Sequence, residues 1–276
     1  MKLSLPTAVL APLLLAATLA AGPARAEEDW RYSLGLHDFA VRDVDSHTHG
    51  LNGSVSVDQR SASGRHLYGS FELFLDRDKD HLDSDHIPLW WQLHLGSDGE
   101  LWRSQQLRLG WTADLQTRMN TVSGIERQIT ALPALVFGYQ GQVLQASVET
   151  GAGWFFMELD DDAPKEVGYD RSTLRNSVFA YAVTGRLGLK LGESVSLSGM
   201  ARGWQDGSQS LLSQYQAAMR IDASALMGGG TLKQPAIVLS ADYHRYNLDP
   251  YNRPGLPPAL RWNDDLLIRL AFETRW

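Results

Sequence analysis

The chain has 276 residues, a formal net charge of −7 and no cysteine. The negative balance excludes a non-specific nucleic-acid binder. Without cysteine there is neither a disulfide framework nor a lipid anchored through a thioether, so backbone pairing and packing alone must hold the fold.

The first stretch reads as a secretory signal peptide. Lys2 supplies a basic start, an apolar run extends from about Leu5 to Ala21, and Ala24, Arg25 and Ala26 give a small-x-small cleavage pattern ahead of Glu27 and Glu28. Pro6 and Pro12 interrupt the run, which speaks against a retained anchor. The expected division is therefore 1–26 leader and 27–276 mature domain, and loss of Lys2 and Arg25 makes the mature chain more acidic still. Beyond the leader no apolar run approaches the roughly 20 residues of a membrane helix. The mature chain is then either a soluble periplasmic protein or a membrane barrel, and periodicity decides between them.

Alternation of period two recurs along the whole mature chain, which is the pattern of strands. Trp30, Tyr32, Leu34 and Leu36 alternate with Arg31, Ser33, Gly35 and His37. Leu51 to Val57, Leu67 to Leu75, Leu89 to Leu95 and Leu107 to Ala113 follow the same rule. The next segment, Gln128 to Tyr139, alternates less cleanly and contains Pro133, which removes a ladder donor and predicts a bulge or kink. Leu144 to Gly153, Phe179 to Leu189, Val195 to Arg202, Tyr215 to Ser224 and Ile237 to His244 continue the series. It closes with Leu266, Ile268, Leu270, Phe272, Thr274 and Trp276 on one face and Leu267, Arg269, Ala271, Glu273 and Arg275 on the other. The fold class predicted is all-β, an antiparallel up-and-down transmembrane barrel of about 12 strands.

The expected connections alternate in length. Arg42–Gly50, Asp76–Pro88, Asp114–Arg127, Glu158–Ser177, Gly203–Ser213 and Asn247–Asp265 read as long polar loops. Arg60–Arg65, Gly96–Arg103, Gly138–Gln142, Lys190–Ser194 and Met227–Gln234 read as short turns. That rhythm matches long extracellular loops and short periplasmic turns, with both termini periplasmic. On the polar face lie Glu72, Arg108, Glu149, Arg186, Arg202, Arg220, Asp222, Asp242, His244, Arg269 and Glu273. Charge is costly against lipid and tolerable in a lumen, so these residues are expected inside, as a polar network. A soluble barrel would carry the two faces the other way round. Trp30, Tyr32, Trp111, Trp154, Tyr243 and Trp276 lie near strand ends, where interfacial aromatic belts form.

Three clusters invite chemistry. Asp76, Asp78, Asp80, His81, Asp83, Asp85 and His86 crowd one loop, and the carboxylates Asp76, Asp78, Asp80, Asp83 and Asp85 suggest a weak surface Ca2+ site. The spacing fails the calcium helix-loop-helix pattern, since His81 stands where glycine and Ile87 where glutamate is needed. His47 and His49, with Asp43 and Asp45 beside them, could hold a transition metal. Ser240, Asp242 and His244 share a strand face, but alternate residues lie nearly 7 Å apart, too far for direct serine–histidine activation. No GxSxG elbow, phosphate loop or HExxH occurs, so no catalytic residue is assigned, and the balance favours a non-enzymatic barrel with an enzyme left as an alternative.

The segment Phe71 to Trp91, with Asp76, Asp78, Asp83, Asp85, His86, Ile87, Pro88 and Trp91, resembles the solitary autotransporter-like barrels of the outer membrane. These are similar to autotransporter translocators without a passenger. The terminal strand, through Leu270, Phe272 and Trp276, resembles the signal read by the barrel-assembly machinery. The resemblance implies a place in the bacterial outer membrane, with membrane lipids and lipopolysaccharide as neighbours and the assembly machinery as a partner in biogenesis. Three functions remain: a structural barrel or narrow pore, which is favoured; a lipid-modifying hydrolase; and a surface adhesin or cation receptor acting through the acidic loop 76–86. The outer-membrane phospholipase carries a histidine–serine motif on one strand, and no such motif is found here.

Overall fold

In the computed structural model the described residues are 27–41, 46–61, 66–77, 88–120, 124–224 and 233–275. The leader 1–26 and Trp276 lie outside them, as do Asp43, Asp45, Asp78, Asp80, His81, Asp83, Asp85 and His86.

Twelve strands form one closed antiparallel barrel. In chain order they are β1 (Glu27–Val41), β2 (Ser46–Arg60), β3 (His66–Asp76), β4 (Leu89–Ser104), β5 (Leu107–Met119) and β6 (Ile125–Gln140). They continue with β7 (Leu144–Leu159), β8 (Arg175–Leu191), β9 (Val195–Gln205), β10 (Ser210–Asp222), β11 (Lys233–Tyr246) and β12 (Asp264–Arg275). Each strand pairs with its sequence neighbours, and β1 pairs with β12 from Arg31↔Arg275 to Ala40↔Leu266. That seam removes the last sheet edge and leaves no unpaired row of backbone groups. A short helix α1 (Asp162–Glu166) and 3-10 turns at Arg171–Leu174 and Asp249–Tyr251 lie in the two longest connections.

The side-chain alternation is realised with the apolar face outward. Leu34 is 69% exposed and Phe179 65%, whereas Arg202 is 2% and Asp265 0% exposed. Leaving a large apolar side chain in water forfeits roughly 1.5–3 kcal/mol each. Leu36, Leu51, Leu75, Leu135, Phe137, Val148, Val183, Leu187 and Leu270 all share this outward exposure. Outer aromatic rings meet in pairs, with centroids 5.9 Å apart for Trp154 and Phe156 and 6.0 Å for Tyr215 and Tyr243.

Several expected boundaries differ. Gly96–Arg103 is not a turn but the second half of β4, and the reversal falls at 105–106 with Gln105 at φ 47. The glycines there make room for rings: a Cβ on Gly99 would sit 2.6 Å from the Trp111 indole nitrogen, and one on Gly96 would collide with the Tyr68 ring. The expected loop Asp114–Arg127 shrinks to 120–124, because Asp114, Gln116 and Arg118 are inward strand positions, polar for the lumen rather than for water. Likewise Gly203–Ser213 shrinks to 206–209, while most of the reversal expected at Met227–Gln234 lies outside the described residues, β11 beginning at Lys233. Among connections whose residues are all described, 160–174 and 247–263 are long as expected and 206–209 is short. Pro133 produces no bulge. Register is the same on either side of it, Ala131↔Trp154 and Ala134↔Gly151, and Gly151 and Gly153 opposite allow the backbones to approach closely.

Candidate functional site

The interior of the barrel is the candidate site, and it is layered. At the long-loop end the connections 160–174 and 247–263 fold over the β6–β10 wall. Inward positions there are apolar rather than charged: Leu132, Phe155, Met157, Ala180, Ala182, Trp204 and Leu212 pack against Tyr169, Leu174, Tyr251 and Ala259 from the connections. Tyr169 donates to the Pro257 carbonyl at 2.8 Å and Tyr251 to the Met157 carbonyl at 3.2 Å. Burial pushes the Tyr251 phenol above its ordinary pKa, so it stays a donor. The opposite wall carries a smaller cluster of Phe39, Val41, Phe74, Trp90 and Leu267. Phe74 and Trp90 stack at 3.7 Å. The Trp90 indole and His37 both engage Asp76, at 2.9 and 2.5 Å.

Below this cap Arg118 crosses the lumen. From β5 its guanidinium makes a two-pronged contact with Asp265 on β12, at 3.2 and 3.1 Å, and donates to Tyr246 on β11 at 2.9 Å. Tyr246 donates to Asp265 at 2.8 Å, and His244 Nδ1 lies 3.2 Å from the same carboxylate. The Phe39 and Trp90 rings lie 5.3 and 5.6 Å from the Arg118 guanidinium, a cation–π contact on its remaining side. A desolvated pair of this kind holds when the fork geometry is good and the spare lone pairs are filled.

Next come two further ionic groups. Arg269 joins Glu72 and Asp242 and donates to Ser240 at 3.0 Å, while Asn52 donates to Glu72 at 2.9 Å. Arg202 reaches Asp114 at 3.3 Å and Thr184 at 2.8 Å, Arg186 holds Glu149 at 2.6 Å, and Tyr68 donates to Asp114. Towards the short-turn end Arg220 pairs with Glu273. Between the Arg118 and Arg269 levels lies a chamber of about 190 Å³ lined by Gln92, Gln116, Gln128, Gln214 and His244. Below it, cavities of about 550 and 800 Å³ open towards the short-turn end, with Arg108 in the wall of both. Arg118 itself forms part of the wall of the 190 Å³ chamber.

Of the inward residues named from sequence, Glu72, Asp242 and Arg269 form one group, Glu149, Arg186 and Arg202 a second, and Arg220 and Glu273 a pair. His244 belongs to the Arg118 knot, and Asp222 sits apart at the strand end, accepting from the Ser224 amide at 2.7 Å. Sequence reasoning missed Asp114, Arg118, Tyr246 and Asp265. Extending the alternation of Arg108 and Thr112 past 113 would have found the first two. Ser240 turns to Arg269 and His244 to Asp265, so the two do not form a nucleophile–base pair. Leu270 and Phe272 lie on the outward face. Asp76 is the one member of the calcium expectation among the described residues, and both its oxygens are engaged inside the barrel. Asp160, Asp161 and Asp162 bring their carboxylates together, but Asp161 is already held by Lys165 at 2.7 Å and Arg171 at 3.4 Å.

No family model and no curated protein matches the chain. Among solved structures it is similar to a KdgM porin in complex with disordered oligogalacturonate, at TM-score 0.45 and 7% identity over 88% of this chain and 99% of that one. It is similar to a NanC porin at TM-score 0.46 and 8% identity, covering 88% and 100%. Outer membrane phospholipase A from Escherichia coli gives 0.44 and 10%, covering 91% and 93%.

Proposed function

We propose that the mature chain is an integral barrel of the bacterial outer membrane, non-enzymatic, whose lumen is held shut by its own side chains and loops. The observation that carries this reading is the inversion of the two faces. A belt of exposed leucine, valine and phenylalanine surrounds a barrel whose buried positions include Arg118, Arg202, Asp114 and Asp265. Such an outer face is stable against acyl chains and not against water. The two termini of the described barrel lie at the short-turn end, which is then the periplasmic side, and the connections 160–174 and 247–263 face outward from the cell.

In this reading the barrel serves as an envelope scaffold and conducts at most as a narrow pore. The resemblance to solitary autotransporter-like barrels fits it, since a lumen filled by Arg118, Arg202 and Arg269 with their partners leaves no path for a passenger. Outer-membrane lipids and lipopolysaccharide would contact the apolar belt, and the barrel-assembly machinery would read Leu270, Phe272 and Trp276 during insertion. Outer-membrane fractionation with heat-modifiable migration tests the placement. A polypeptide that stays monodisperse in buffer without detergent would overturn it.

A further inference from the structure

We propose that His47, His49 and Asp38 form a binding site for a divalent transition metal on the outer rim of the barrel, at the long-loop end. The proposal stands independently of whether the lumen is open. His47 and His49 are alternate residues of β2 and so share its outer face, and Asp38 lies on the same face of the neighbouring β1, paired in register with His49. The two imidazole rings stand nearly parallel, 25° apart, with centroids 6.4 Å from each other. Their Nδ1 atoms approach different oxygens of one carboxylate: His47 Nδ1 lies 3.4 Å from Asp38 Oδ1 and His49 Nδ1 2.9 Å from Oδ2.

A carboxylate at Nδ1 selects the tautomer whose lone pair is on Nε2, the arrangement by which an outer carboxylate prepares a histidine ligand. Two Nε2 atoms binding one tetrahedral ion at about 2.0–2.1 Å must come within about 3.3 Å. The imidazoles are 52% and 70% exposed, so rotation of the rings can bring them there without disturbing the barrel. Imidazole pairs favour zinc, nickel and copper over calcium and magnesium.

The test is calorimetric titration of zinc chloride into the detergent-solubilised full mature chain. The expected result is one saturable zinc site that excess calcium does not displace. The affinity should fall about 100-fold or more in the His47→Ala/His49→Ala double variant, where the chelate is lost. It should fall about 10–100-fold in Asp38→Asn, where only the orientation is lost. Retained heat-modifiable migration shows that each variant is folded, and His49→Gln alone repeats the measurement with the polar surface kept. Absence of saturable zinc binding in the wild type, or binding that survives the double variant unchanged, overturns the site.

Discussion

Arg118 and Asp265 meet across the lumen from nearly opposite walls, β5 and β12, and the contact is two-pronged. Arg118 is 6% exposed and Asp265 0%, so neither charge has water to fall back on. Arg118→Ala should therefore cost about 3–5 kcal/mol, most of it from the carboxylate left buried and unpaired. The same variant should join the 190 Å³ chamber to the cap region and raise single-channel conductance over the wild type. A urea midpoint in vesicles and a planar-bilayer recording check the two effects separately. A wild-type conductance equal to that of the variant would show that this contact is not the constriction.

The apolar belt makes a depth-dependent prediction. Leu135 is 55% exposed on the outer face of β6. Leu135→Arg should destabilise the inserted barrel by about 2–4 kcal/mol if the position lies near the bilayer midplane. Gln216→Arg, on an inward position lining both the chamber and the 550 Å³ cavity, should cost far less. Unfolding of the reconstituted protein by urea distinguishes them. Equal costs would remove the assignment of faces.

The cap depends on Tyr251. Tyr251→Phe loses one hydrogen bond to the Met157 carbonyl and should cost about 0.5–1.5 kcal/mol. Tyr251→Ala leaves a cavity in the apolar cluster and should cost about 3–5 kcal/mol. It should also expose the connection 247–263 to added protease, which gel analysis of intact vesicles would read.

Asp206 gives a pH prediction away from the membrane. Its carboxylate accepts from the Ser208 hydroxyl at 2.7 Å and from the backbone amides of Ser208 at 2.8 Å and Gln209 at 2.9 Å, which lower its pKa to about 2. The unfolded value is about 3.9. A folded value below the unfolded one adds stability that is complete above about pH 4 and is lost as pH falls through about 2. Asp206→Asn should thus be less stable than wild type at neutral pH. The urea midpoints of the two should converge towards pH 2.

Much of the barrel was legible from period two alone, because the strands keep apolar residues on one face through their central parts. Where the reading failed, the same property caused the failure. Asp114, Gln116 and Arg118 continue the inward polar face of β5, but Leu115 is followed by Thr117 on the other face, which leaves too few apolar residues for the stretch to read as strand. Trp90, Phe74 and Phe39 err in the opposite direction, being apolar residues on the inward side where the barrel is capped. The pairing of Arg118 with Asp265 joins residues 147 positions apart, and no local pattern announces it.

The seam between β1 and β12 governs the order of events during folding. Leu34 meets Phe272 and Gly35 meets Ala271, so the chain's two ends must find each other before any ring exists. Contacts so remote in sequence are slow to form, and every partly assembled species carries two raw edges ready to pair with another molecule. Kinetic risk is thus concentrated in the last stitch. Removing β12 would leave β1 and β11 as two open edges, each a template for pairing with another chain.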